Sequence, residues 1–191
     1  MNKQELAYKI FSGLMCSERN TKEEREETKS SLVWFLKRVP VNIFCNEFAV
    51  LYDILKKYNT CVVTQESLVE ILNINSDKFK VSSLINLKLY EIEGQPDSAV
   101  LNFIDSVLQV YGSLISSVVS FEEVKLYTQM YIEQYLEETF GIVLQQAANI
   151  LVNGQPDKNK KVKKGYLESK KFINEVTSKL DVLINSENFN G

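Results

Sequence analysis

Apolar side chains recur along most of this chain at the spacing of helix faces rather than in the alternation of strands. Leu6, Ile10 and Leu14, with Ala7 and Phe11 beside them, predict an amphipathic helix over Lys3 to Cys16. Thr21-Lys-Glu-Glu24 has the form of a capping box, in which a hydroxyl and a carboxylate each satisfy a free backbone N–H at a helix start. The helix it opens is charged at first, then apolar at Leu32, Phe35, Leu36 and Val39, and Pro40 stops it. Asn46 is placed to cap a third helix, with Phe48, Leu51, Tyr52 and Leu55 inward and an end near Lys57 to Asn59. Cys61-Val-Val63 reads as a brief extended piece, after which Thr64 caps a short helix carrying Leu68, Ile71 and Leu72. Ser76 or Asp77 opens a fifth, with Phe79, Leu84, Leu87 and Ile92, although Val81-Ser-Ser83 suits a helix poorly. Beyond a break at Gly94-Gln-Pro96-Asp97, Val100, Leu101, Ile104, Leu108, Tyr111 and Ile115 mark a sixth.

The last third reads differently. A second capping-box pattern, Ser120-Phe-Glu-Glu123, starts a long helix predicted over Phe121 to Val152. A second helix, from about Lys163 to Ile184, follows Gly154, Pro156 and a Lys/Asn run. The long helix is apolar on more than one stripe: Val124, Tyr127, Tyr131 and Tyr135 on one, Leu136, Phe140, Val143, Ala147 and Ile150 on another. Such a helix cannot satisfy itself against one neighbour and needs a second partner. The tyrosine stripe suits either packing within the chain or a subunit interface, where tyrosine covers apolar area and keeps a wet hydroxyl. The fold expectation is all-α: a helical head of five to six short helices over residues 1–118, an antiparallel helical hairpin over 119–185, and the start of a linker at 186–191.

Composition narrows the chemistry. With 191 residues, 45% hydrophobic and 25% charged, the chain is of ordinary globular type. No run approaches the ~18 uncharged apolar residues of a membrane span, and the N-terminus lacks the features of a secretory signal. A net charge of −3 makes a broad duplex-binding face unexpected. There is no histidine, the most frequent general base and metal ligand. Cys16, Cys45 and Cys61 have no zinc-ligand spacing and read as reduced, mostly buried thiols of a cytoplasmic protein. Neither a phosphate loop nor a Gly-x-Ser-x-Gly elbow is present, so no catalytic residue, cofactor or metal is assigned. The acidic groups Glu23, Glu24, Glu26, Glu27 and Glu133, Glu137, Glu138 read as solvated helix faces. Lys158, Lys160, Lys161, Lys163 and Lys164 form a basic cluster, which suits a solvated loop or a contact for phosphate or an acidic partner. Periodicity does not place Trp34, the single tryptophan, firmly on the inward stripe; it suits a half-buried packing role ahead of a partner anchor.

The order of elements resembles the N-terminal domain of DnaB-like hexameric replicative DNA helicases of bacteria and phages. The segments that carry the resemblance are Glu27-Thr-Lys-Ser-Ser-Leu-Val-Trp-Phe-Leu36, then Asn42-Ile-Phe44 with Phe48-Ala-Val-Leu-Tyr-Asp-Ile-Leu55. Val62-Val-Thr-Gln-Glu-Ser-Leu-Val-Glu-Ile-Leu72 follows, and Val124-Lys-Leu-Tyr127 to Ile150 with Tyr166 to Leu183 match the family's hairpin. The resemblance spans about residues 27–185 and rests on element order and apolar pattern. The chain departs from the family where a basic stretch usually follows the tyrosine, here Ile132-Glu-Gln-Tyr-Leu-Glu-Glu138, and it lacks the ATPase motor.

The resemblance implies a non-catalytic collar domain that mediates subunit association, as dimer pairs within a hexamer, and docks a primase or helicase loader. DNA would be engaged through the full-length assembly only, and no membrane is involved. Tyr131, Tyr135, Phe140, Val143, Phe172, Val176 and Leu180 are the expected hairpin or subunit contacts. The alternative is a standalone phage or bacterial adaptor that binds a partner through its hairpin arm.

Overall fold

Reciprocal side-chain caps mark the starts of several helices. In a computed structural model, which describes residues 1–40, 43–74, 80–82, 88–91, 97–114 and 118–185, helix α1 spans Lys3–Ser12. The Asn2 side chain accepts from the Glu5 N–H, and Glu5 Oε2 accepts from the Asn2 N–H, each at 2.8 Å. Helix α2, Lys22–Arg38, starts on the predicted capping box, with Thr21 Oγ1 accepting from the Glu24 N–H at 3.2 Å and Glu24 Oε2 from the Thr21 N–H at 2.9 Å. It ends two residues before Pro40. Helix α3 covers Asn46–Tyr58 and closes on Asn59 in the left-handed region (φ 49°). Asn46 is its first residue rather than its cap. Helix α4, Gln65–Ile74, is capped by Thr64, whose hydroxyl accepts from the Ser67 N–H at 3.1 Å.

Strands β1 (Lys80–Ser82) and β2 (Lys88–Glu91) pair antiparallel where a fifth helix was predicted. Val81 and Tyr90 are residues that prefer a pleated surface, and serines compete with helical hydrogen bonds, so local propensity prevailed over the weak helical spacing. Phe79, Leu84, Leu87 and Ile92 lie outside the described residues, as do residues 186–191. Helix α5 spans Asp97–Leu114 and helix α6 Phe121–Val152, the latter with the predicted bounds and the Ser120/Glu123 capping box formed. The seven helices among the described residues make the fold all-α, as predicted.

The chain forms two compact units, Met1–Ile132 and Glu133–Gly191. The division falls inside α6 rather than near residue 118, because the first turns of that helix carry Val124, Thr128 and Tyr131 into the packing of the head. At the centre of the head, Phe11, Phe35, Phe44 and Tyr52 are fully buried, and Phe11 meets Phe44 edge-on at 5.2 Å. Each such side chain contributes about 1.5–3 kcal/mol by leaving water. The Tyr52 hydroxyl donates to the Val39 carbonyl, and Tyr111 of α5 donates to Val63, which ties the segment after α3 to α5. Burial raises both phenols, with Tyr52 pushed up to about 12. Tyr131 stacks on Phe44 at 4.8 Å and donates to the Ile43 carbonyl at 2.9 Å. The inward face of α5 comprises Phe103, Ile104, Val107, Tyr111 and Leu114, whereas Leu101, predicted inward, is exposed. Trp34 is half-buried, edge-on to Phe121 at 6.2 Å with the Arg38 guanidinium over its ring.

In the second unit, α6 turns back through strands β3 (Gln155–Pro156) and β4 (Val162–Lys163) into helix α7, Tyr166–Asn185. This small β-hairpin delays α7 relative to its predicted start at Lys163, because Val162 and Lys163 pair with Pro156 and Gln155. Thr139, Val143, Ala147 and Ile150 of α6 and Ser169, Val176 and Leu180 of α7 are buried. The Ser169 hydroxyl donates to the Ala147 carbonyl at 2.8 Å and fixes the register of the two helices.

Candidate functional site

At 100° per residue, the buried residues Thr139, Val143, Ala147 and Ile150 occupy one side of α6. Phe140, Leu144 and Leu151 fall within about 40° of one another on the adjoining side. They are 44%, 48% and 48% exposed. Glu133 and Glu137 belong to that same angular sector, one to two turns before Phe140, and both are exposed. The outer face of the hairpin is therefore graded along its length: carboxylates first, then large apolar groups, then the connecting loop.

That loop is basic and ordered by one side chain. Asp157 Oδ1 accepts from the N–H groups of Asn159 (2.8 Å) and Lys161 (2.9 Å). The Asp157 N–H donates to the Lys161 carbonyl at 2.8 Å, and Lys160 takes a positive φ of 58°. A turn followed by a left-handed residue is a common way to close a three-residue hairpin loop. The two backbone donors, led by Lys161, lower the Asp157 carboxyl from its ordinary value, and nearby Lys163, 3.7 Å away, adds to this. Lys158, Lys160, Lys161, Lys163 and Lys164 are all exposed, and the tip carries five lysines in seven residues. Gly154 lies at φ 79°, and a Cβ there would stand 2.7 Å from the Lys163 carbonyl oxygen, so the turn back into β4 requires glycine.

The seven expected interface residues separate into two groups. Tyr131, Tyr135, Val143, Val176 and Leu180 are buried within their own chain, and Tyr131 is part of the head. These five pack within their own chain, four of them in the hairpin unit. Phe140 is exposed and Phe172 half-buried, so these two remain accessible. Leu144 and Leu151 were missed by the sequence reading, although they follow Phe140 at i+4 and i+11 and so share its face. Thr128 and Thr139 were missed as inner residues because a hydroxyl interrupts the apolar period.

Among the described residues, no helix is long and apolar enough to cross a membrane, and no group of three or more potential metal ligands stands together. No protein-family model matches the chain, and neither the curated proteins nor the solved structures contain a match.

Proposed function

We propose that this chain is a non-catalytic scaffolding domain whose hairpin pairs with the hairpin of a second copy. The observation that carries this reading is the exposed stripe of Phe140, Leu144 and Leu151, which lies beside the face that α6 uses for its own hairpin. Three large apolar groups in line are more than scattered surface residues, and an apolar patch with polar ends is the ordinary form of an interface core and rim. In an antiparallel pairing about a two-fold axis near Leu144, residues equally far from the axis oppose each other. Glu133, eleven residues before Leu144, meets Gln155, eleven after, at the root of the lysine loop. Leu144 then meets its own copy and Phe140 meets Ala148 at the centre, Glu137 lies against Leu151, and Glu133 approaches the lysine loop of the other copy at both ends. Residues 133–152 of α6 extend for about 30 Å, enough for an interface of the usual ~800 Å² per partner.

The biological setting comes from the resemblance in element order: a collar domain of a DnaB-like replicative helicase, acting in the cytoplasm. There the paired hairpins build dimers within a hexamer, and the collar receives a primase or helicase loader. ATP hydrolysis and strand separation belong to a motor domain, and DNA is met through the whole assembly. Light scattering on the purified chain over a concentration series tests the pairing. A mass that rises from one to two or more chains supports it, and a monomer at every concentration removes it.

A further inference from the structure

Two thiols from distant parts of the sequence meet in the head. Cys16, after α1, and Cys61, after α3, have their sulfurs 3.7 Å apart, and both are buried. Their backbones are held together independently of the side chains. The Cys16 N–H donates to the Cys61 carbonyl at 2.8 Å, and the Val63 N–H donates to the Cys16 carbonyl at 3.3 Å, forming an isolated parallel bridge. The bridge pairs Cys16 with Val62, the residue next to Cys61, and the sulfurs need to approach by less than about 2 Å to reach bonding distance.

A route to this pair exists. Cys61 lines a cavity of about 380 Å³ between the first half of α2 and residues 59–62. Lys22, Arg25 and Lys29 line it, with Glu26 as the one carboxylate, over a floor that includes Leu32. The three cations fall within about 60° around α2, while Glu23, Glu24 and Glu27 lie more than about 90° away. Glu24 is engaged in the capping box, and Glu27 Oε1 accepts from the Phe121 N–H at 2.9 Å. Among the described residues, none of the three cations makes an ion pair. Three cations and one carboxylate thus line a cavity with a thiol in its wall.

We propose that Cys16 and Cys61 form an oxidisable dithiol, and that the cationic cavity admits a small anionic disulfide, of which oxidised glutathione is the model, to Cys61. The Cys61 thiolate attacks one sulfur of the disulfide, forms a mixed disulfide and releases one thiolate. Cys16 then loses its proton to that thiolate or to water and attacks the Cys61 sulfur, and the second thiol leaves. Two protein thiols are oxidised to one disulfide while the small disulfide is reduced to two thiols. Burial, and then the Cys61 charge, push the Cys16 thiol up to about 12. Cys16 therefore stays protonated and donates its S–H to the Cys61 sulfur, which suits Cys61 as first nucleophile and Cys16 as the resolving thiol. In a reducing compartment the pair rests as thiols and closes when the share of oxidised glutathione rises. Closure staples the segment after α1 to the segment after α3.

The test is incubation of the intact chain with oxidised glutathione, followed by thiol counting in denaturant and peptide mapping. Of three cysteines, one titratable thiol should remain, Cys45, with Cys16 linked to Cys61. Cys16→Ala should stop at a glutathione adduct on Cys61, and Cys61→Ala should leave Cys16 unmodified. Arg25→Ala with Lys29→Ala should slow the reaction at least threefold with glutathione disulfide and leave it unchanged with the neutral hydroxyethyl disulfide. Three thiols remaining, or oxidation confined to Cys45, would overturn the dithiol assignment. Equal slowing with both disulfides would overturn the role of the cavity.

Discussion

Ser169 of α7 donates its hydroxyl proton to the Ala147 carbonyl of α6 across the hairpin, at 2.8 Å and out of water. This bond is a polar tie beside the buried apolar residues Val143, Ile150, Val176 and Leu180. It fixes which residues of α7 oppose which of α6. Because it holds the seam closed, the outer stripe of Phe140, Leu144 and Leu151 is left facing away from the hairpin's own packing. Ser169→Ala should cost about 0.5–1.5 kcal/mol, the usual net value of such a bond. Chemical denaturation followed by circular dichroism would measure it, with the midpoint lowered and the slope unchanged.

Gly13 is required by Val124. A Cβ at Gly13 would stand 2.2 Å from Val124 Cγ2, and valine has little rotamer freedom with which to retreat. Gly13→Ala should therefore destabilise the head by about 1–3 kcal/mol, the cost of overpacking. Adding Val124→Ala should recover part of the loss, a positive coupling that a double-mutant cycle reads directly.

Gly141 presents the opposite case. It sits within α6, where an added Cβ meets nothing within 4 Å, so glycine there has only its conformational cost. Gly141→Ala should stabilise the chain by about 0.5–1 kcal/mol. A thermal melt of the two proteins side by side would show the gain as a raised midpoint.

The tip of the hairpin should respond to acid. Backbone donors lower the Asp157 carboxyl, so its charged form is favoured in the folded loop. The resulting contribution is fully present above the ordinary carboxylate value and is lost as the pH falls through the lowered one. Amide exchange at Asn159 and Lys161, whose N–H groups bond to Asp157, should become less protected relative to the helices over that range. Asp157→Asn should keep part of this protection and remove its dependence on pH.

Much of the helical plan was legible because caps and apolar periods are local. Thr21, Thr64 and Ser120 each start a helix where their side-chain chemistry indicated, and Pro40 and Asn59 stand just past helix ends. What was not legible depended on choices between distant partners. The tyrosine spacing in α6 could not say that Tyr131 would reach the Ile43 carbonyl in the head while Phe140, nine residues on, stayed exposed. Nor did the periodicity reveal Thr128 and Thr139 as inner residues, since a buried hydroxyl reads as a break in the pattern. The lysine run was visible as charge, but the β3–β4 pairing depends on Asp157 and on Gly154 and Lys160 taking positive φ, which composition does not announce.

The central claim is that the outer stripe of α6 joins two copies of the chain. Val143 is fully buried in the hairpin, so substituting it would test folding rather than association. Phe140→Asp with Leu144→Asp places charge on the exposed stripe instead. Light scattering across a concentration series should find the native chain self-associated at high concentration and the double variant monomeric, with equal helical content by circular dichroism. A native chain that stays monomeric throughout, or a double variant that associates as the native chain does, would contradict the account.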